Sequence, residues 1–404
     1  MTSSIDTDDS HPVGHAGGPQ PQPRVPTRLL LGPGPSEVDP RVLHALDLPP
    51  LGHLDPALLD ILGELEHMLR GVFLTRNRLT LVISGTGTAG MEAALVNVVE
   101  PEDTVLVGVM GYFGERMCQM VQRLGGILRR VEASWGEALD PQQMREAILR
   151  ERPRVVCIVH AETSTGVCQQ GVADIAGAAH EADAVLVVDA VTSLGGQPVH
   201  VDQWGIDVCY SSSQKCLGAP AGLAPITFGE RAVDKMRKRS ALPTSFYLDA
   251  MLLSDYWHDR QYHHTISAPL IYALYTALRL LHEEGLEERW RRHHRHHRAL
   301  RAGIQTMGLA YLPAEDLSLW PLNAVRLPDG LDEAAVRSAL LHRYGIEVGG
   351  GLGPLRGRLL RVGLMGYGAQ QRFVLQLLAA LEDVLRAQGL PIEVGVGLAA
   401  AMQG

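Results

Sequence analysis

One lysine of this chain lies in surroundings that suit a reactive amine. Lys215 follows three serines and Gln214, and small or apolar residues occupy positions 216–220. Desolvation in such surroundings lowers the pKa of an amine and frees it to act as a nucleophile or a base. The chain has only three lysines and otherwise uses arginine, which cannot form a Schiff base. A covalent role for Lys215 is therefore favoured over the alternative, a surface lysine in a polar loop.

A carboxylate ends an apolar run in the segment AVLVVDAVTSLGG, residues 184–196. Asp189 follows five apolar residues, and an aspartate at the end of a buried strand is costly without a partner. A cationic ligand would remove that cost. The alternative, an aspartate that only caps the next turn, stays open at this point.

A turn rich in glycine and threonine follows the apolar run LTLVIS, residues 79–84. Its sequence, GTGTAGMEAAL, predicts a helix that begins near Thr88. The free N–H groups and the dipole at such a helix start suit an anion, above all a phosphate. The turn is neither GxGxxG nor a Walker loop, so the usual nucleotide motifs are absent. A plain glycine-rich turn is the alternative.

The three features together match the requirements of one cofactor. Pyridoxal 5′-phosphate (PLP) needs a lysine amine, an acidic partner for its ring nitrogen and an anchor for its phosphate. Lys215 and Asp189 are therefore the candidate catalytic residues, and the turn at residues 85–88 is the candidate phosphate site.

The composition is that of an ordinary globular protein. The chain has 404 residues and a formal net charge of −9, which gives no indication of nucleic acid or an anionic membrane as a partner. No apolar run has the length of a membrane span. The five cysteines form no CxxC pair, which fits a reducing, cytoplasmic location. We expect no metal site.

Short apolar runs alternate with helical patterns through the middle of the chain, which predicts an α/β fold with a mostly parallel sheet and helices on both faces. The predicted strands are residues 79–84, 104–109, 154–159, 184–189 and 222–228, and the predicted helices between them are residues 88–99, 114–124, 141–151 and 172–182. Beyond residue 267 the pattern predicts helices at 267–284, 286–305, 332–343 and 368–387 and strands at 322–327 and 358–364. We expect a flexible tail at 1–26, a large domain at 27–285, a smaller α+β domain at 286–388 and a loosely organised tail at 389–404.

The sequence resembles the class V, fold type I PLP-dependent aminotransferases, and within them the alanine–glyoxylate and serine–pyruvate branch. The likeness runs from residue 29 to about residue 388. Several segments occur in the order typical of the family: LLLGPGPS, LVISGTGTAGMEAALVNVVEP, HAETSTGV, VDAVTSLGG, YSSSQKCLGAPAG, SFYLD, YHHTI and GGLGP…LRVGLMG. The resemblance implies a seven-stranded-type sheet between helices and PLP as the cofactor.

The resemblance also implies roles for residues around the cofactor ring. Lys215 would hold the cofactor as a Schiff base, and Asp189 would partner the ring nitrogen. Val191 and Phe113 would lie against the two faces of the ring. The mammalian enzyme of this branch has Trp at the position of Phe113. Thr163 would hydrogen-bond the side of the ring that carries the 3-hydroxyl group.

Further positions match residues that bind the phosphate and the substrate. The phosphate is implied to contact four residues of this chain, namely Thr86, Gly87, Thr88 and Gln214. Thr88 departs from the histidine of the mammalian enzyme. Tyr262 and Thr265 resemble residues that reach the phosphate from a neighbouring subunit, which implies a C2 homodimer with a shared active site. Arg361 would bind the substrate carboxylate, and Gly34 would lie in the loop lining the substrate pocket.

The implied reaction is a ping-pong transfer of an amino group from alanine or serine to glyoxylate or pyruvate. A hydroxykynurenine- or pyridoxamine-type substrate is an alternative within the family. A desulfurase is less favoured, because the loop at 344–358 has no cysteine. A non-catalytic binding module is disfavoured because the chain has both Lys215 and Asp189. The run RRHHRHHR at 291–298 is interpreted as a solvated basic helix face rather than a metal site.

Overall fold

The computed structural model describes residues 23–403, so most of the predicted N-terminal tail lies outside the described residues. The described strands fall into one large sheet, one small sheet and short pairs. In chain order they are β1 (Leu29–Leu30), β2 (Leu79–Ser84), β3 (Thr104–Val109), β4 (Ile127–Glu132), β5 (Val155–Val159), β6 (Ala161–Glu162), β7 (Val167–Cys168), β8 (Val185–Asp189), β9 (Val208–Tyr210), β10 (Leu223–Phe228), β11 (Ala310–Tyr311), β12 (Leu322–Arg326), β13 (Ile346–Glu347), β14 (Gly349–Gly350) and β15 (Leu359–Gly363).

Helices separate most of these strands. Several begin with an Asp–Pro pair, in which the aspartate accepts a bond from a first-turn N–H while proline starts the helix, as at Asp55 and Asp140. In chain order the helices are α1 (Pro40–His44), α2 (Pro56–Phe73), α3 (Gly87–Val98), α4 (Tyr112–Arg123), α5 (Pro141–Glu151), α6 (Val172–Glu181), α7 (Val201–Trp204), α8 (Glu230–Arg237), α9 (Ala250–Asp259), α10 (Ala268–Glu284), α11 (Leu286–Thr306), α12 (Glu333–Tyr344), α13 (Gln371–Ala387) and α14 (Val396–Gln403). None of the described helices is long and apolar enough to cross a membrane.

The large sheet has seven strands in the order β2-β10-β9-β8-β5-β3-β4. Strand β10 runs antiparallel to both of its neighbours, and the other pairs are parallel. Strands β4 and β5 lie on opposite sides of β3, so the strand order reverses there. Because the neighbouring strands are parallel, their carboxyl ends lie at one edge of the sheet, where a ligand site is expected. The predicted α/β architecture with a mostly parallel sheet is confirmed.

The second sheet has four strands in the order β11-β12-β15-β14, and each neighbouring pair is antiparallel. It packs with the later helices around a core of its own, which includes Leu300 of α11, Leu360 of β15 and Leu381 of α13. The larger core extends from Val42 to Leu281. The exact domain boundaries stay a prediction.

One expectation for the C-terminal part is wrong, and a second is confirmed only in part. Residues 396–403 form helix α14, which packs against α11, instead of a loosely organised tail. The run RRHHRHHR lies in α11, where Arg291, His294, Arg295 and Arg298 are exposed as predicted, but His293, His296 and His297 are buried. These histidines are buried because α11 packs against the smaller sheet and the neighbouring helices. His293 accepts from the N–H of Gly366, and His297 pairs with Asn323. No group of three metal-binding side chains occurs within residues 23–403.

Candidate active site

A cavity of about 190 Å³ lies at the carboxyl ends of the parallel strands. Every residue of this chain that was predicted to touch the cofactor from its own subunit contributes to the wall. The lining residues are Thr86, Gly87, Thr88, Met91, Phe113, Arg116, Ala161, Thr163, Asp189, Val191, Gln214 and Lys215. The strands and turns of the sheet therefore bring together segments that are up to 129 positions apart, from residue 86 to residue 215.

The Lys215 amine is buried in this cavity and its side chain is only 9% exposed. Nζ donates to the carbonyl of Pro33, and Ser36 donates from its hydroxyl to the Lys215 carbonyl at 3.0 Å. Burial, followed by the nearby Arg361 charge, lowers the pKa of Lys215 to about 8. Lys235, by comparison, pairs with Asp103 at 2.8 Å. Lys215 thus has the desolvated amine that nucleophilic or basic chemistry requires.

Gly34 lies directly against the Lys215 side chain. Its φ of +106° belongs to the region that favours glycine, and a Cβ there would come within 2.7 Å of Lys215 Cδ. The segment from Leu29 to Ser36 is fixed at both ends. Strand β1 pairs with β13, and the Ser36 N–H donates to the Gln214 carbonyl at 3.0 Å. Gly34 therefore borders the cavity at the lysine.

Asp189 is the last residue of β8 and is only 3% exposed. Its Oδ1 accepts from the Val191 N–H at 2.8 Å, and its Oδ2 accepts from the Tyr210 hydroxyl at 2.9 Å. Burial raises the pKa of Asp189 to about 6 despite these bonds. A protonated ring nitrogen would return this carboxyl to its charged form. Tyr210 was missed by the sequence analysis; it lies opposite Asp189 in the β8–β9 register.

The predicted phosphate site is the start of α3, where Thr86 is the N-cap residue but makes no side-chain capping bond. A Cβ on Gly87 would lie 3.1 Å from Val191 Cγ2, so the backbone here is closely packed against the ring-facing residue. Nearby, Ser212 Oγ and Gln214 Oε1 are buried without a hydrogen-bond partner in the described structure. The open helix N–H groups and the Ser212 hydroxyl can donate to a phosphate, so the residues present match PLP.

Phe113 lies in the first turn of α4, and a buried carboxylate holds that turn in place. Glu162 accepts from the Phe113 N–H at 3.2 Å and from the Ser164 hydroxyl at 2.5 Å. Burial raises the pKa of Glu162 to about 7. Thr163, the next residue, pairs with Thr192 through their hydroxyls at 2.5 Å. Glu162 was missed by the sequence analysis, although it lies within the quoted HAETSTGV segment.

Arg361 lies at the border of the cavity rather than in its wall. Its Nε donates to the Gly350 carbonyl at 2.7 Å and its Nη1 to the Thr163 carbonyl at 3.3 Å. Burial lowers the pKa of Arg361 to about 10, so the side chain stays charged at neutral pH. These bonds orient the guanidinium and leave Nη2 without a hydrogen bond to any described residue. Arg361 has no salt bridge within the described chain, which disfavours an ordinary ion-pair role for this arginine.

Tyr262 and Thr265 do not reach the cavity of their own chain. Both side chains are exposed, and 61% of Tyr262 is accessible. Between them, His264 pairs with Ser84 Oγ at 2.7 Å and ties this segment to the end of β2. Cys216 also points away from the cavity, since its Sγ donates to the Thr192 carbonyl at 3.2 Å. Burial raises the pKa of the Cys216 thiol to about 12.

The seven-stranded fold, the buried lysine and the strand-end aspartate define a PLP-dependent enzyme of fold type I. The model of the class-V aminotransferases matches residues 52–366, and the chain belongs to that family. The (S)-ureidoglycine–glyoxylate transaminase of Bacillus subtilis is 40% identical over 94% of this chain and 95% of its own length. The alanine–glyoxylate aminotransferase of Drosophila melanogaster is 39% identical over 91% and 95%.

A solved structure agrees with these relatives. The crystal structure of an alanine–glyoxylate aminotransferase from Nostoc sp. is 45% identical, covers 95% of this chain and 100% of that one, and superimposes with a TM-score of 0.89. The predictions of fold type I, of PLP as cofactor and of a class V aminotransferase are therefore confirmed.

Proposed function

We propose that this protein transfers the amino group of alanine or serine to glyoxylate or pyruvate in two half-reactions, with Lys215 as the lysine that links to the cofactor. The observation that carries the site assignment is the convergence of Lys215 and Asp189 in one buried cavity, with Arg361 bonded to its wall. The names of two similar proteins support glyoxylate as acceptor. Alanine is a donor in the name of one of them.

Each of the three side chains has a separate task. When bound, PLP supplies an aldehyde that links to amines and a ring that withdraws electrons from the substrate α-carbon. The Lys215 amine, with a pKa of about 8, is suited to accept the α-proton and return it. Asp189 in its ionised form holds the proton on the ring nitrogen. Arg361 binds the substrate carboxylate through a guanidinium oriented by two carbonyls.

A second donor follows from the Bacillus subtilis relative. That protein is named a ureidoglycine–glyoxylate transaminase, and its identity to this chain equals that of the alanine–glyoxylate enzymes within a few per cent. Ureidoglycine also carries the α-amino acid group that Arg361 and Lys215 would bind. The possible donors are ureidoglycine, alanine, serine and donors of the hydroxykynurenine or pyridoxamine type. Selectivity among them depends on side-chain contacts worth about 1–3 kcal/mol each.

The proposal includes a homodimer in which Tyr262 and Thr265 complete the active site of the other subunit. Exposed aromatic side chains support this surface as an interface, since Phe246 is 70% and Tyr262 61% accessible in the single chain. A cytoplasmic location is supported by the five cysteines, which are all buried as free thiols.

Trapping with borohydride tests the role of Lys215. Reduction fixes the cofactor on the linking lysine, and peptide mapping has only Lys215, Lys235 and Lys238 to distinguish. We expect the label on Lys215 and none on the Lys215→Ala variant, which should also lose transamination. The exposed Lys238→Ala variant is the matched control and should keep both label and activity. A label on another lysine would overturn the assignment.

A steady-state screen tests the substrates. Alanine is paired with glyoxylate, serine and ureidoglycine are each paired with glyoxylate and pyruvate, and kcat/KM is compared. The proposal predicts the highest values for alanine or serine with glyoxylate or pyruvate. A preference of more than about 100-fold for ureidoglycine would favour the second donor instead.

A further inference from the structure

Arg116 lies at the candidate phosphate site but belongs to none of the segments that identify the family. It is on the first turns of α4 and contributes to the wall of the same cavity as Thr86 and Lys215. Its Nη1 donates to Thr88 Oγ1 at 2.9 Å. The guanidinium also lies over the Phe113 ring, 4.9 Å from the ring centroid.

The charge of Arg116 has no carboxylate partner in the described structure. Its neighbour Glu115 pairs instead with Arg130 at 2.5 Å, and no salt bridge to Arg116 occurs within residues 23–403. The side chain is only partly exposed. A partly buried arginine without a counter-ion bears a desolvation cost, which an anionic ligand would offset.

The cofactor supplies such an anion. A phosphate monoester carries a charge of about −1.5 to −2 at neutral pH, whereas a helix start offers only about half a positive charge. The predicted phosphate contacts, Thr86, Gly87, Thr88 and Gln214, are neutral. The other cation in the cavity wall is Lys215, whose charge is altered by the link to the cofactor.

We propose that Arg116 is the positioning cation of the phosphate site. Thr88 Oγ1 accepts a hydrogen bond from Arg116 Nη1, so the Thr88 O–H can donate to another acceptor. The Phe113 ring holds the guanidinium from the other side. Arg116 thereby couples the phosphate to the aromatic side chain that faces the cofactor ring, and it selects for the phosphorylated form of the cofactor. The proposal rests on PLP as cofactor.

The test compares PLP with pyridoxal, which has the same ring and aldehyde but no phosphate. The cofactor is removed from the full-length protein, and each compound is titrated back while the absorbance of the lysine-linked form is followed. We expect Arg116→Ala to raise the Kd of PLP about 10- to 100-fold, as for loss of a charged hydrogen-bond partner. The Kd of pyridoxal should change by less than about 3-fold. Inorganic phosphate should compete with PLP more weakly in the variant.

Arg123→Ala is the matched control, because Arg123 is an exposed arginine at the end of the same helix. It should leave both Kd values unchanged. Arg116→Lys should keep most of the preference for PLP and Arg116→Gln should lose it, and this pair of long side chains decides the question if the alanine variant unfolds. Thermal unfolding of each variant without cofactor reports on folding.

Two results would overturn the proposal. Equal weakening of PLP and pyridoxal would show that Arg116 only positions Phe113, and unchanged Kd values would show that it does not act on the cofactor. Failure of the cofactor assignment has a different signature, because the wild-type protein would then not bind PLP at all.

Discussion

Asp189 shows how one residue exchanges stability for function. Burial raises its pKa from 3.8 to about 6, so the folded protein without cofactor keeps this carboxyl protonated to a higher pH than the unfolded chain does. The carboxyl therefore stabilises the fold fully below about pH 4, and this contribution is lost as the pH rises through 6. At neutral pH the charged carboxylate is a cost that the cofactor nitrogen would offset.

Replacing this carboxyl by a neutral amide tests that account. At pH 7–8 we expect the free energy of unfolding of cofactor-free Asp189→Asn to exceed that of the wild-type protein by about 1–3 kcal/mol, so the variant is more stable. The difference should vanish near pH 4. Transamination should fall steeply because the ring nitrogen loses its acidic partner. Urea unfolding at several pH values measures the first effect. Equal stability of the two proteins at pH 8 would contradict the burial cost.

The sequence predicted the site residues whose local context indicates chemistry, and it missed those that depend on register. Lys215 and Asp189 stand out because each follows a short β-rich run and would be costly in an apolar environment. Tyr210 acquires its role only because β9 pairs with β8 at that position. Arg116 contacts Thr88, which is 28 residues away in sequence, and Glu162 contacts Phe113, which is 49 residues away. Both contacts depend on how α4 packs on the sheet, which the sequence pattern does not show.

At the scale of elements, buried strands were the most predictable. Strands β2, β3, β5, β8 and β10 are continuous apolar runs because helices cover both faces of the sheet. Strand β4 was missed, since it is an edge strand whose sequence ILRRVE is mostly exposed. Strand β9 was not among the predicted strands either, since it has only three residues. Helix α14 was missed because packing against α11 stabilises it rather than its own sequence pattern.

The segment from β1 to Ser36 makes an element-scale prediction through Gly34. A methyl group at this glycine is strained by its φ of +106° and collides with the Lys215 side chain. Gly34→Ala should therefore lower cofactor linkage and kcat by at least about 10-fold, because small misplacements of catalytic groups are costly. Gly308→Ala is the control, since Gly308 has a similar φ of +81° but open space around it.

Both variants should lose about 1–2 kcal/mol of stability from backbone strain, measured by chemical unfolding. Only Gly34→Ala should alter the absorbance of the linked cofactor. If the Gly308→Ala variant lost linkage equally, the effect would come from general destabilisation and not from contact with Lys215.

At the scale of the whole molecule, the N-terminal segment connects the two cores. Leu31 packs in the core of the smaller sheet, while five residues later Ser36 bonds to the loop that carries Lys215. Arg361 lies on the smaller sheet but bonds to Thr163 next to the large one. The site therefore depends on both cores being correctly placed, and a change in their relative position would move the carboxylate-binding group relative to the lysine.

A second copy of the chain would extend this dependence, and subunit complementation tests it. The Lys215→Ala variant and a double variant, Tyr262→Ala with Thr265→Ala, should each be inactive or strongly impaired alone. In a mixed dimer one site would combine an intact lysine from one chain with intact Tyr262 and Thr265 from the other. Random pairing of equal amounts gives half mixed dimers with one good site each, so about a quarter of wild-type activity should return. Both proteins must first exchange subunits, which tagged co-purification verifies. Mixed dimers with no gain in activity would show that these two side chains act within their own chain or not at all.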